Sequence, residues 1–559
     1  MASDNSREKR ILLNNIYGVD IDPQAVEVTK LSLQLKVLEN ENRESIEGQV
    51  RLGMEGILPN LEDNIKCGNS LIGPDFYDTP QTTLFDEEEM RRINVFDWND
   101  KARGFGRIMA RGGFDCVIGN PPYVRQELLK ERKEYFKAHY QVYQGTADLC
   151  AYFIEKGVSL LRSGGFFSYI VANKWMRANY GKPLRQWLKT KRIEEIVDFG
   201  DLSVFQNATT YPCILRISNG EPRSTFEVTQ VETLGFSDLG AYVKEHQYAV
   251  NQDELDDSGW SLVDEETRAL LDKLRKTGVP LDEYVDGKIY YGIKTGLNEA
   301  FVIDSSTRDK LIAEDPNSAE LIKPFLAGKD IKRYQPPCSE RYLILMPKGW
   351  TNQKSGGVKN AWKWLQNNYP GVAFHLKPFS EKAQKRYDKG EYWWELRACD
   401  YYAEFEKPKI MLPDISMRGN FTIDTAGDFY CVNTAYIISN AEKYLLGILN
   451  STIITFFYKN IASTYRGGYL RFIYQYMAEL PIRTIDFSNP AEKSQHDKLV
   501  ALVENMLELQ KKYHEARMER DKELYERQIK IVDAQIDRLV YELYGLSEEE
   551  IEVVEGVVR

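Results

Sequence analysis

FDCVIGNPPYVRQE, residues 114–127, is the stretch from which the rest of this chain can be read. Apolar residues run into Gly119 and are followed at once by Asn120, Pro121, Pro122 and the aromatic Tyr123. The apolar run reads as a buried strand. Two successive prolines keep the backbone extended beyond it and remove two N–H donors. What remains is a rigid set of acceptors, the Asn120 side-chain oxygen and the Pro121 carbonyl, beside the flat face of Tyr123. An exocyclic amine such as N6 of adenine has two protons to donate and a ring to stack. Two acceptors below the amine draw its lone pair out of conjugation, so the nitrogen becomes nucleophilic with no titrating base. A base inside a duplex reaches such a pocket only when flipped out.

The flanking sequence places this strand in an α/β sheet. NIYGVDID (residues 14–21 with their acids) is a short apolar run ending in Asp20, and PQAVEVTKLSLQLKVLE follows with Pro23 where a helix would begin. DLCAYFIEKGVSLLRSGG reads as a helix stopped by Gly164 and Gly165, and FFSYIVAN as the next strand. Strand–helix alternation predicts a parallel, doubly wound sheet with ligands at the carboxyl ends of its strands. The methyl-group chemistry suggested below would then occupy residues 1–218. From 219 to 489 the texture changes to short β-like runs, many aromatics and repeated turns, which predicts a mixed α/β domain of two lobes. Residues 490–559 read as a helical segment, with Ile529, Val532, Ile536, Leu539 and Leu543 on one face and Ser547 and Glu550 spaced to cap a last short helix.

Composition narrows the class. The 559 residues are 43% apolar and 28% charged, ordinary for a globular protein, and no apolar run is long enough to span a membrane. The polar start MASDNSREKR lacks a signal-peptide core. Seven dispersed cysteines without a C-x-x-C pair and five unclustered histidines predict a reducing, cytoplasmic location and no metal. The net charge of −11 speaks against nucleic acid, but charge is segregated. GKPLRQWLKTKR (residues 181–192) holds five cations and no acid, so a basic face is expected on an acidic chain.

Together these residues resemble the N6-adenine DNA methyltransferases that use S-adenosylmethionine, and within them the methylase and specificity portions of fused type IIG restriction–modification enzymes. The resemblance covers nearly the whole chain, with separated motifs in the family's order. It implies a Rossmann-like methyltransferase sheet, a target-recognition domain and a helical tail. In YGVDIDP, Asp20 would accept from the cofactor's ribose hydroxyls and Ile21 would pack on its adenine. In IKCGNSL, Asn69 would contact the cofactor adenine, or serve only as a turn residue. Asn120, Pro121, Pro122 and Tyr123 match the catalytic tetrapeptide. Phe153 would line the adenine side of the cofactor, a role that core packing explains equally well. In DLSVFQNATTYPCIL, Phe205 would stack on the flipped base opposite Tyr123. In the second domain YYGIKTGLNEAFVID, IKPFLAGKDIKRY and YRGGYLRF supply candidate DNA contacts, namely Lys294, Lys329, Lys332, Arg333, Arg466 and Arg471, each with a solvated surface charge as the alternative.

Two parts of the family pattern have no match. The glycine-rich loop, DPACGSG-like in the family, should precede the acidic strand; RGFGRI and RGGF lie after it, in the wrong order. No nuclease motif of the PD…(D/E)xK kind is complete, since Pro74-Asp75 and Pro413-Asp414 stand alone. The expectation is a sheet lacking its first strand and loop, weakly active or inactive by itself, with double-stranded DNA as partner. An upstream segment or a subunit would supply the loop and the nuclease. Two rival readings are a non-catalytic DNA-binding specificity protein and a protein glutamine N-methyltransferase. The large aromatic-rich second half argues against the latter.

Overall fold

The computed structural model describes residues 4–39, 58–78, 87–123, 132–205, 210–462, 464, 465 and 467–558. They fall into two units, Met1–Leu262 and Val263–Arg559. The first unit begins with helix α1 (Asp4–Asn15), strand β1 (Gly18–Asp20) and helix α2 (Pro23–Leu38). Asp22 caps α2 by accepting from the Gln24 N–H at 2.8 Å. Pro23 takes the first helical position, where no N–H is needed. β1 pairs in parallel with β2 (Ile65–Cys67), Gly18 opposite Ile65. Leu12, Val26, Val37, Leu61 and Ile65 close a small core around them.

The main sheet has six strands: β3 (Phe114–Gly119), β4 (Leu161–Ala172), β5 (Arg192–Asp198), β6 (Pro212–Ser218), β7 (Thr225–Gln230) and β8 (Tyr248–Asn251). Their order is β3-β4-β6-β5-β7-β8. β3 runs parallel to β4, and β5 parallel to β7. β6 is antiparallel to both β4 and β5, and β8 to β7. The sheet is therefore mixed rather than parallel. β6 follows β5 without an intervening crossover helix, and a strand that returns without one must reverse. Helix α3 (Leu149–Ser159) packs on β4 and buries Ile154 and Val158 beside Phe167 and Val171, each such side chain contributing about 1.5–3 kcal/mol.

Two sequence expectations shift. Gly164 and Gly165 do not stop α3, which ends at Ser159; they lie inside β4, where Gly164 takes φ +72 and the pairing register with β3 slips. A left-handed residue suits such a bulge and favours glycine. The first unit also extends past residue 218, because β7 and β8 continue the same sheet.

The second unit contains two four-stranded sheets. Ile289–Tyr291 (β9), Lys409–Pro413 (β10), Thr422–Asp424 and Ala435–Ile438 form one, all antiparallel. Val302–Asp304, Ile322–Leu326, Arg341–Ile344 and Tyr430–Cys431 form the other. A three-stranded sheet holds Ile415–Ser416 (β11), Thr464–Tyr465 and Tyr469–Arg471 (β12). Helices α4 (Lys443–Asn450), α5 (Thr452–Ile461), α6 (Pro490–Glu515), α7 (Glu519–Leu543) and α8 (Glu548–Val558) share one core with β9 and β10. Val532, Ile536, Leu539 and Leu543 are buried there, as their helical spacing predicts. Ser547 and Glu550 form the reciprocal cap of α8, with the Ser547 N–H donating to Glu550 Oε2 at 2.7 Å and the Glu550 N–H to Ser547 Oγ at 3.2 Å. No described helix is long and apolar enough to cross a membrane.

Candidate active site

β3 ends on Gly119 because the strand must lie under an aromatic ring. A Cβ at this position would stand 2.8 Å from Tyr169 Cε1, and Tyr169 is the paired residue on β4. The chain leaves the strand through Asn120, which is exposed, Pro121, which is buried, and Pro122 and Tyr123, which are exposed. Among the described residues nothing bonds the Asn120 side-chain amide or the Pro121 carbonyl. The acceptor pair is therefore available to a ligand. Tyr123 has 38% of its surface exposed, and partial burial pushes its phenol up to about 12. It stays neutral at physiological pH and offers a flat, uncharged face. Among the described residues neither Tyr123 nor Phe205, which is half-buried on the segment after β5, stacks on another ring.

The neighbouring strand ends carry polar groups too. Asn173, directly after β4, donates from Nδ2 to Asp198 Oδ1 at 2.8 Å, and Asp198, the last residue of β5, also accepts from the Gly200 N–H at 3.0 Å. Asp148 before α3 accepts from the Tyr180 hydroxyl at 3.2 Å. None of these was singled out from sequence; the signal was an Asn or Asp at the end of each apolar run. Burial lifts the Cys213 thiol, on β6 opposite Asp198, well above its ordinary range, so it stays a neutral core group.

Asp20 is exposed at the end of β1. Its Oδ1 accepts from the Asp22 N–H at 2.9 Å, and its carbonyl accepts from the Gly68 N–H at 2.8 Å. Oδ2 remains open, and a carboxylate held this way at a strand end matches a ribose diol. Ile21 beside it is 43% exposed, an apolar surface suited to a flat heterocycle. Asn69 is turned inward instead. It is 8% exposed, donates from Nδ2 to the Ile93 carbonyl at 3.2 Å and accepts at Oδ1 from the Leu71 N–H at 3.1 Å. Its amide holds the turn after β2. Phe153 packs against the main core of the unit. Among the described residues no cluster of His, Cys, Asp and Glu could hold a metal ion. A polar cavity of about 320 Å³ containing Asp75, Tyr135, His139 and Lys156 lies elsewhere, at the starts of β3 and β4, where Trp98 meets Phe114.

The basic stretch 181–192 is not a free cationic face. Arg185 is fully buried and donates to the carbonyls of Ala178, Asp257 and Ser258. Lys189 pairs with Asp257 at 3.2 Å and Arg192 with Glu194 at 2.8 Å.

Of the expected DNA contacts, Arg333 is corrected to a structural role. Its guanidinium is bound to Asp533 and to the Asn450 carbonyl within the second unit. Lys294 pairs with Asp388 at 2.9 Å yet stays 55% exposed. Lys329, Lys332 and Arg471 are exposed, and Arg466 falls outside the described residues.

With this geometry in hand, known proteins can be compared. Residues 14–205 match the Eco57I restriction-modification methylase family, and residues 323–482 match the TaqI-like C-terminal specificity domain. The type II restriction enzyme and methyltransferase RM.Eco57I of Escherichia coli is 24% identical over 99% of this chain, which spans 56% of that relative's length. The type II methyltransferase M.XhoI of Xanthomonas vasicola is 27% identical over 79% of this chain and 77% of its own. Among solved structures, the type IIL restriction-modification enzyme MmeI in complex with DNA superposes with a TM-score of 0.59 at 14% identity, covering 99% of this chain and 74% of that one. The fold is shared with MmeI.

Proposed function

From a chain that joins an Eco57I-type restriction–modification methylase region to a TaqI-like specificity domain, we propose sequence-specific methylation of adenine N6 in duplex DNA. The observation that carries this reading is the Asn120–Pro121–Pro122–Tyr123 run at the end of β3, with both acceptors unclaimed and a neutral aromatic face beside them. Asn120 Oδ1 and the Pro121 carbonyl accept the two N6 protons and hold the nitrogen lone pair toward the cofactor side. Tyr123 and Phe205 hold the flipped base between them, at about 1–3 kcal/mol per stacking contact. Asp20 and Ile21 bind the nucleoside end of the cofactor. S-adenosylmethionine, when bound, supplies an electrophilic methyl group on its sulfonium. The N6 proton released after transfer leaves toward solvent, since Asn120 and Tyr123 do not ionise near neutrality.

Completion of the cofactor site by an upstream segment or a subunit bringing a glycine-rich loop belongs to this reading, and so does weak activity of the chain alone. Supporting it, β1 and β3 each have one unpaired edge among the described strands, and Ile118 on β3 is 77% exposed. Incubation with radiolabelled S-adenosylmethionine and either duplex DNA or a purified release factor tests the acceptor. Label in DNA supports the proposal. Label in the protein acceptor points to an amide methylase, and sequence-specific binding without label to a recognition protein.

A further inference from the structure

This inference rests on the DNA reading above and goes beyond it to the side chains that read bases. β11 and β12 are antiparallel, with Ile415 opposite Arg471 and Ser416 opposite Leu470. Ser416 and Leu470 are buried, whereas Ile415, Met417, Tyr469 and Arg471 are exposed. Strand alternation puts these four on one outward face, a cation and an aromatic among apolar side chains. At the head of this ribbon, Asp414 joins β10 to β11. Its backbone is committed, the N–H donating to the Thr434 carbonyl at 2.9 Å and the carbonyl accepting from the Phe472 N–H at 2.8 Å. Its half-buried carboxylate takes no hydrogen bond among the described residues. Arg471 is the cation that acts on it, and the Tyr291 phenol lies in the same field together with Lys294.

We propose that Asp414 and Arg471 read one C·G base pair of the target, with the β11–β12 ribbon lying in the major groove. That groove admits a two-stranded ribbon. A guanidinium donates to O6 and N7 of guanine, and a carboxylate accepts from N4 of cytosine, so the neighbouring pair matches both halves of one base-pair edge. The acid decides between base and backbone. A carboxylate set against phosphates is repelled, and one left half-buried without a donor is costly. An exposed cytosine amine removes both penalties. Both residues lie inside the stretch that matches a specificity domain.

The test is selection of bound duplexes from a randomised pool by the full chain at one fixed salt concentration, followed by sequencing. Arg471 is exposed, so Arg471→Ala leaves the fold intact; Asp414→Asn keeps the shape of the acid. Each variant is expected to lose roughly 10- to 100-fold of discrimination at a single G·C position, the same one for both, with the other positions unchanged. Enrichment unchanged at every position in both variants overturns the inference while leaving the DNA reading intact. A uniform loss of affinity without positional change also overturns it, since that marks a phosphate contact. A wild-type chain that enriches no sequence overturns the DNA-specificity reading and this inference with it.

Discussion

Arg333 donates from Nη1 to Asp533 Oδ2 at 2.6 Å and from Nη2 to the Asn450 carbonyl at 2.8 Å. The side chains of the ion pair are 11% and 19% exposed. Asp533 lies on α7, so this contact ties the C-terminal helices to the segment after Gly328. Breaking a buried pair strands the remaining charge, at a cost of about 3–5 kcal/mol. Arg333→Ala should lower the urea midpoint of the second unit, with the base preference of the chain unchanged. Wild-type stability combined with altered preference would return Arg333 to the DNA surface.

Asn120 is assigned to the reacting nitrogen and not to binding. Asn120→Ala should reduce methyl transfer by roughly 100- to 1,000-fold, the scale for loss of one preorganised polar group. Cofactor affinity, measured by calorimetry, should be unchanged. Asp20→Ala should do the opposite and weaken cofactor binding first. If the two variants lose cofactor affinity equally, the separation of roles is wrong.

No titrating base is used at the acceptor. With the Tyr123 phenol held near 12, neither it nor the acceptors change charge across roughly pH 6 to 9. Single-turnover methylation rates should be flat over that range. A sigmoidal rise centred near neutrality would require a general base that this arrangement does not contain.

Asp414 gives a pH-dependent signature of its own. Burial raises its carboxyl above the ordinary value of 3.8, and Arg471 draws it partway back. A raised carboxyl means that the folded chain holds the proton more tightly than the unfolded one. Its contribution is thus fully present below the unfolded value and is lost as pH rises through the folded value. At neutral pH the ionised group is a cost, and Asp414→Asn should stabilise the chain there while changing little near pH 3. Comparison of thermal midpoints at the two pH values checks this. A variant destabilised at neutral pH would show that the carboxylate is paired.

Local signals were legible in the sequence. Pro23 behind Asp22 marked the start of α2, Ser547 and Glu550 marked the cap of α8, and the apolar run into Gly119 marked β3. Each depends on neighbours within a few residues. Long-range partners were not legible. Arg185 is buried because carbonyls at Asp257 and Ser258 fold back onto it, and Arg333 because Asp533 reaches it from α7. A cation in sequence looks alike whether solvated or buried. The reversal of β6 and the glycine bulge in β4 escaped for a related reason: strand direction and register are set by pairing, not by the strand's own residues. Asn69 was open between ligand and turn, and its two inward hydrogen bonds describe a turn residue.

The most direct test of adenine methylation at Asn120 is identification of the product nucleoside. The chain, in excess over a duplex pool, is incubated with methyl-labelled S-adenosylmethionine, and the DNA is digested to nucleosides and resolved by mass spectrometry. The account predicts label in N6-methyladenosine only, even at low yield, and its disappearance with Asn120→Ala. Label in a methylated cytosine, or label that persists in the Asn120→Ala variant, would contradict it.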